Sequence, residues 1–418
     1  MRKSRRVVIT GLGVVAPNGI GKDAFWDALV AGKSGIDYIT AFDASDYPCR
    51  VAGEVTNFVA TDFIQTRKAR VMARFSQLAV ASTRLALEDA SLSITPALAT
   101  KATVCFGNSS TGLGDVATEG FEALRKEGVA GVKPRTVLEF PPHAAASYLA
   151  IEFGIKGRAI SISSNCCTGL DAIQTGYEQI VEGHAAIAVA GGSDAPIFYS
   201  SFGGFCALGA LTKRNDSPGE ASRPYDRLRD GIVLSEGSAT LILEEYDYAM
   251  ERGAPIYAEI LGYGAASEAI GMRKGDLTGR VMAQAIQEAI YRAGLSPSEI
   301  DHINAHGSSL PDYDVCDTNA FKEALGSHAY RIPVVSIKSM IGQPISASGG
   351  FQTAAACLTI REQLVPPTIN QTTPDPQCDL DFVPNVARVA RVKRVLINCH
   401  SFGGSVSALI IGQAETGL

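Results

Sequence analysis

Short apolar runs alternate along the chain with longer stretches in which apolar residues recur every three or four positions. The runs predict strands over 6–10, 102–106, 159–163, 185–190, 239–244, 256–263, 302–305, 334–336, 394–398 and 408–411. The longer stretches predict helices over 23–31, 76–90, 142–153, 169–182, 278–293, 317–325 and 350–362. A continuous apolar run bounded by turn residues fits a buried strand, and a 3.6-residue period fits a helix with one buried face. Their alternation predicts an α/β fold with buried sheets.

The pattern echoes itself once. The strand over 103–106 runs into Gly107-Asn108-Ser109-Ser110, and the strand over 303–305 runs through His306 into Gly307-Ser308-Ser309. A shared strand followed by glycine and small hydroxyl residues hints at a duplicated α/β unit. No long linker divides the chain. The polar, turn-rich stretch 212–230 reads as an ordered loop at the surface or at an interface, and 366–384 as an extended connection.

The first apolar run follows a basic start and superficially resembles a signal peptide. Glycines at 11 and 13 interrupt it, no small-x-small cleavage site follows, and Pro17-Asn18-Gly19 makes a turn, so a first buried strand is the better reading. No stretch reaches the ~20 apolar residues of a membrane span.

Composition narrows the function classes. At 418 residues, with 46% hydrophobic and 19% charged, the chain is long and apolar enough for a large core without staples. A net charge of -6 speaks against general nucleic-acid binding but leaves room for a local basic patch that meets an acidic partner. Lys68-Ala69-Arg70 and Lys213-Arg214 are candidates for such a patch, or are simply solvated charges. The nine cysteines include no C-x-x-C pair, which argues against a zinc ribbon or dithiol site and for reduced thiols in a cytoplasm-like compartment. No ligand-spaced histidine cluster predicts a metal, and Gly11-Leu12-Gly13 does not complete a dinucleotide fingerprint.

Four segments at strand ends carry chemistry. Ser164-Asn165-Cys166-Cys167-Thr168-Gly169 joins a strand to a helix. The positive end of a helix dipole favours a thiolate there, although two small buried residues at a tight turn fit the fragment as well. His306 ends another strand among small residues, either as an acid–base group or as a satisfied core imidazole. Lys338 follows the strand over 334–336 and precedes Gly342-Gln343. Its charge can organise a site or be solvated. Asn398-Cys399-His400-Ser401-Phe402-Gly403-Gly404 is a strand running into a glycine loop, whose N–H groups can stabilise an oxyanion or merely turn the chain. Active sites in α/β folds gather at such strand ends.

Together these segments resemble the β-ketoacyl synthase family of thiolase-like condensing enzymes. The stretch Ala221-Ser222-Arg223-Pro224-Tyr225-Asp226, followed by Arg229-Asp230-Gly231-Ile232-Val233-Leu234-Ser235-Glu236-Gly237, is similar to the family's "SRPFD…RDGFVLGEG" signature. The opening strand and the segments at 304–309 and 336–342 match as well. The resemblance implies a five-layered αβαβα fold from two duplicated halves. The first, 1–255, would carry the cysteine, and the second, 256–418, the histidine, lysine and gating loop. It implies Cys166 as nucleophile, with its own N–H and that of Phe402 as oxyanion hole. His306 would support decarboxylation, Lys338 would organise the site, and Asp317 would stand where a glutamate usually pairs with that lysine. Residues 401–404 would form the gate.

The resemblance further implies an acyl carrier protein as partner, with phosphopantetheine arriving on it and no other cofactor, and a homodimer or a heterodimer with a ketosynthase-like chain. Four further residues depart from the pattern. Gln343 replaces a second histidine, His400 replaces an aromatic residue, Ser401 replaces a glycine of the gate, and Cys167 follows Cys166 where a small residue is usual. His400 is therefore expected near the acyl-cysteine, partly replacing the lost imidazole, and Ser401 is expected to stiffen the gate through lost backbone freedom. The implied reaction is decarboxylative condensation of an acyl group on Cys166 with malonyl carrier protein in a specialised polyketide or fatty-acid pathway. A non-decarboxylating acyltransferase or hydrolase, and a chain-length-factor-like partner subunit, are the alternatives.

Overall fold

The computed structural model describes residues 5–110, 112 and 114–415. Ten strands carry the architecture: β1 Val7–Ala16, β2 Ala102–Gly107, β3 Ala159–Ile162, β4 Ile187–Asp194, β5 Gly237–Glu245, β6 Ala258–Ser267, β7 His302–Asn304, β8 Val334–Val335, β9 Arg394–His400 and β10 Ser405–Gly412. The helices that matter for the site are α1 Arg74–Asp89, α2 His143–Phe153, α3 Thr168–Val181, α4 Arg280–Arg292, α5 Pro311–Leu325 and α6 Ser348–Glu362.

The strands follow the order β8-β7-β9-β10-β6-β1-β5-β4-β2-β3, with the short strand Gly19–Ile20 hairpinned onto β1. The order is the same in each half when read outward from the β1–β6 junction. β1 pairs antiparallel with β5 and β5 with β4, while β2 lies parallel to β4 and to β3. In the same way β6 pairs antiparallel with β10 and β10 with β9, while β7 lies parallel to β9 and to β8. The halves join where Val8 and Ile9 face Glu259 and Ala258. The echo between 103–110 and 303–309 therefore falls on equivalent strands, β2 and β7.

Strand alternation builds the layers. Leu241 and Leu243 of β5, Ala188 and Ala190 of β4, Val395 and Ile397 of β9, and Leu409 and Ile411 of β10 turn inward. There they enclose α3 and α6 through Leu170, Ile173, Phe351 and Leu358. The intervening residues turn outward. Val104, Val189 and Ile242 meet Phe75 and Ala79 of α1, and Ile303, Leu396 and Ile410 meet Met282 and Ile286 of α4. Period-two strands facing helices on both sides give the expected αβαβα stack.

Close approach fixes the outer helices. A Cβ on Gly11 or Gly13 of β1 would lie 2.2 or 1.8 Å from the carbonyl oxygens of Ala86 and Ser82 on α1. In the second half, a Cβ on Gly262 or Gly264 of β6 would lie 2.2 or 2.1 Å from those of Ala289 and Ala285 on α4. Residues two apart on a strand meet residues four apart on a helix, one turn along. This explains why β1 continues through its glycines to Ala16, beyond the expected end at 10: they admit a helix and do not break the strand.

Two other expectations change. The loop over 212–230 lies at the surface only in part: Lys213, Asp216, Ser217, Glu220, Arg227 and Leu228 are exposed, whereas residues 221–226 are buried. Helix α5 begins at Pro311, earlier than 317, because proline suits the first helical position and Asp312 and Asp314 suit the first turn. The helices Val116–Glu127 and Tyr199–Leu208 escaped the periodic pattern. Gly120 in the first and Gly203-Gly204 in the second lower helix propensity by ~1 kcal/mol each.

Candidate active site

Cys166 stands at the turn from β3 to α3. Asn165 takes a left-handed conformation (φ 56), which asparagine tolerates. The chain then tightens into a single 3-10 turn, Asn165–Cys167, before α3 begins. The thiol lies at a helix start, where the dipole favours a thiolate, while burial works against it and pushes the pKa up to about 12. Cys167 points the other way, its thiol against the carbonyl oxygens of Cys399 (3.4 Å) and Ser405 (3.2 Å), and fills the central core.

Opposite the thiol, one cavity gathers Cys166, His306, Gln343, His400 and Phe402, with Tyr313, Phe205, Ile232, Leu310 and Ile345 among its walls. Its free space is about 20 Å³, room for little more than one water molecule. Gln343 donates from Nε2 to Cys166 Sγ at 3.4 Å. The Ser348 hydroxyl donates to Gln343 Oε1 at 2.8 Å, which holds the amide with its NH2 toward the sulfur. His306 is buried, and burial together with the positive Lys338 and neighbouring His400 keeps its pKa well below the ordinary range. Its imidazole is neutral at pH 7, able to hydrogen-bond without carrying charge.

A polar scaffold sets His306 from behind. Its N–H donates to Asn398 Oδ1 at 3.0 Å, and Lys338 Nζ donates to its carbonyl at 2.7 Å and to Gln352 Oε1 at 3.3 Å. Gln352 Nε2 in turn donates to the carbonyls of Asn304 and Asn398. Asp317 does not form an ion pair with Lys338, contrary to the expected pairing. It accepts from Gly307 N–H (2.9 Å), Asn398 Nδ2 (2.8 Å) and the Tyr225 hydroxyl (3.1 Å). The shorter aspartate is used up by these donors, and Gln352 takes the place beside the ammonium.

His400 lines the same cavity, its ring 6.3 Å from that of His306 and 4.1 Å from that of Tyr313. Its Nε2 lies 3.2 Å from Glu268 Oε1. His400 was expected near Cys166 as a partial replacement for the missing imidazole; it shares the cavity with Cys166, but Gln343 is the residue that donates to the sulfur, and His400 Nε2 turns toward Glu268.

The model for "Beta-ketoacyl synthase, N-terminal domain" matches residues 4–249, and that for "Beta-ketoacyl synthase, C-terminal domain" matches 257–372. The chain belongs to the β-ketoacyl synthase family. It is 39% identical to a 3-oxoacyl-[acyl-carrier-protein] synthase 2 of Coxiella burnetii, covering 98% of this chain and 99% of the relative. It is 41% identical to the tetracenomycin polyketide synthase ketoacyl synthase alpha subunit of Streptomyces glaucescens, covering 98% of each. Among solved structures it superposes, with a TM-score of 0.89 and 35% identity over 99% of this chain and 100% of the other, on one described as a type II polyketide synthase acyl-carrier protein in complex with its ketosynthase bound to the hexaketide. Members of the β-ketoacyl synthase family are acyltransferases that catalyse Claisen condensation, and this chain is one of them.

The stretch that most resembles the family signature proves to be a support for the β-ketoacyl synthase site. Ser222 donates to the Lys338 carbonyl (2.7 Å), Arg223 pairs with Asp226, and Tyr225 stacks on Phe382 with ring centres 3.8 Å apart. Glu236 accepts two bonds from Arg74 at 2.6 Å. Of this stretch only Ile232 reaches the cavity wall. Tyr313, Asn398 and Gln352 were missed as site residues. Asn398 opens the glycine-loop motif and was within reach of the sequence, whereas Tyr313 and Gln352 lie on helices with no local signal.

Loop 401–404 carries a latch that sequence alone did not suggest. Ser401 Oγ accepts from Cys167 N–H at 2.9 Å and donates to the Ser164 carbonyl at 2.8 Å, tying the loop to the Cys166 turn. These bonds restrain the loop in addition to the loss of glycine. At ~1 kcal/mol each, they favour this loop position by roughly tenfold or more. Ser401→Gly is expected to speed acyl transfer onto Cys166 by about that factor where gate opening limits the rate. Rapid-quench intact-mass measurement checks this, and an unchanged loading rate counts against a latch.

Proposed function

We propose that this chain joins an acyl group on Cys166 to a malonyl unit carried by an acyl carrier protein. The Cys166 thiol attacks the incoming thioester carbonyl and its proton leaves with the departing pantetheine thiol. The tetrahedral oxyanion is held by the N–H groups of Cys166 and Phe402. The malonyl thioester then loses CO2, and the electron pair moves onto its carbonyl oxygen as an enolate. Donors from neutral His306 and from Gln343 hold that oxygen, and the enolate carbon attacks the acyl-cysteine. That attack forms the C–C bond; collapse of the second tetrahedral intermediate then breaks the C–S bond, releases the β-ketoacyl thioester on its carrier and frees the Cys166 thiolate, which takes a proton from solvent.

The observation that carries this reading is the Gln343 amide, pinned by Ser348 with its NH2 toward the sulfur in the cavity that His306 lines. An amide donates a hydrogen bond without a proton transfer, which is what an enolate oxygen requires. We place the boundary between halves at 255/256, just before β6. The acyl carrier protein is the partner, with phosphopantetheine arriving on it, and the relatives' names fit a specialised polyketide or fatty-acid setting. Exposed Phe121, Val137, Leu138 and Ile151, at 58–72%, cluster in the sequence before edge strand β3 and suit a second copy or a ketosynthase-like chain. Lys68 is engaged by Glu152, whereas exposed Arg273 and Lys274 follow directly after Met272, whose carbonyl accepts from the Gly403 N–H of the gate. Arg273 and Lys274 therefore add to the candidates for an acidic carrier surface. No helix among the described residues is long and apolar enough to cross a membrane, and we place the protein in the cytoplasm.

The test is incubation with a panel of acyl-carrier thioesters and malonyl carrier protein, following enzyme and carrier by intact mass. An acyl adduct on Cys166, CO2 release and a β-ketoacyl carrier are expected. An adduct without CO2 release points to a transferase or hydrolase, and no adduct at all points to a partner subunit.

A further inference from the structure

Glu268, Cys316 and His400 come from three separate elements. Glu268 follows the end of β6, Cys316 lies on α5, and His400 ends β9. All three are buried. One ligand atom from each lies within 4.8 Å of the other two, the one such group of three among the described residues. Glu268 Oε1 is 3.2 Å from His400 Nε2 and 4.0 Å from Cys316 Sγ. Two ligands on a tetrahedral zinc ion stand about 3.3–3.6 Å apart, given metal bonds of about 2.0–2.3 Å. The Glu268–His400 side already stands near that spacing, and the Glu268–Cys316 side, at 4.0 Å, needs to shorten by about 0.5 Å.

Glu268 Oε1 also accepts from the Asp276 N–H at 3.1 Å, but three other polar atoms of the group lack partners. Neither ring nitrogen of His400 makes a geometrically sound hydrogen bond, and Glu268 Oε2 has none. Buried polar atoms left unpaired are costly, and a cation between them removes that cost. Thiolate, imidazole and carboxylate together suit a borderline-soft divalent ion, zinc above all, rather than magnesium or calcium.

We propose that Glu268, Cys316 and His400 form a binding site for a zinc-type divalent ion, which leaves its fourth position to water and clamps the gate shut. On binding, the Cys316 thiol gives its proton to solvent and becomes a ligand. The clamp follows from connectivity. His400 directly precedes gate residues 401–404, and Glu268 N–H donates to the Gly404 carbonyl at 2.8 Å. An ion that joins the two and α5 fixes both sides of the loop, so that acyl groups no longer enter. The inference goes beyond the condensing role, because its first readout needs no turnover.

The experiment is titration with Co2+ as an optical stand-in, followed by equilibrium dialysis with Zn2+. About one equivalent per chain is expected, with the sulfur-to-cobalt charge-transfer band of a thiolate ligand. The band is expected to vanish in Cys316→Ser and in Glu268→Gln and to persist in Cys166→Ala. Zinc is expected to slow acyl loading more than tenfold in the wild type, reversibly with a chelator, and to leave Cys316→Ser unaffected. A wild-type protein without the band overturns the site. So does a band that survives in Cys316→Ser or disappears in Cys166→Ala, which places the metal on the nucleophile. Circular dichroism of the variants separates loss of a ligand from loss of fold.

Discussion

Cys166→Ala is expected to show no acyl adduct after incubation with any acyl-carrier thioester, and condensation is expected to fall by roughly 10³-fold or more. The fold should survive, because the residue lies on the cavity wall and the adjacent Cys167 fills the core position. The wild-type thiol provides a second readout. Burial raises its pKa to about 12, so its thiolate fraction grows about tenfold per pH unit throughout the neutral and mildly alkaline range. Iodoacetamide labelling of Cys166 should therefore still be accelerating near about pH 10. A plateau near neutrality would show that the dipole of α3 prevails over burial, and that the thiolate stands ready before substrate arrives.

His306→Ala is expected to separate the two half-reactions. Loading of Cys166 should remain within a few-fold of wild type, while CO2 release and condensation fall by about 10²–10³-fold, the usual loss when one donor to a developing oxyanion is removed. Gln343→Leu should act in the same direction and at the same step, because Gln343 supplies the second donor. The pH dependence has a sign. The folded pKa of His306 is well below the ordinary histidine value, so the ring is already neutral at neutral pH and stays so as pH falls from about 8 to 6. Condensation should not decline over that interval through protonation of His306. The same depressed pKa makes the folded state less stable relative to the unfolded chain once pH falls below about 6.5, where the unfolded histidine takes up a proton that the folded one refuses. Steady-state rates measured alongside denaturant melts distinguish the two effects. A decline in kcat between about pH 8 and 6 that parallels no change in stability would count against a neutral His306.

The fold was largely readable because its central strands are buried on both faces and its outer helices on one, so hydrophobic runs and period carried the information. The duplication was visible only as a four-residue echo. The stronger sign, Gly11 and Gly13 against Gly262 and Gly264, is a matter of backbone clearance, which no hydrophobic pattern registers. In the site, Cys166, His306, Lys338 and Phe402 each sit where a strand gives way to a turn, and that position together with the family resemblance marked them. What the chain concealed was pairing. Whether Lys338 leans on Asp317 or Gln352, whether His400 faces sulfur or carboxylate, and whether Ser401 merely stiffens the loop or fastens it are decided by side chains from distant segments. The grouping of Glu268, Cys316 and His400 is hidden for the same reason, since ligand spacing in a sequence reveals a site only when one or two elements supply it.

Because Ser222 and Tyr225 brace Lys338 and Asp317 from outside the cavity, the most recognisable stretch of the chain is a pedestal. What stands on a pedestal can be exchanged while the base remains. Chains that share this base are therefore free to differ in the chemistry they perform, and their divergence should be sought at positions 343, 400 and 401.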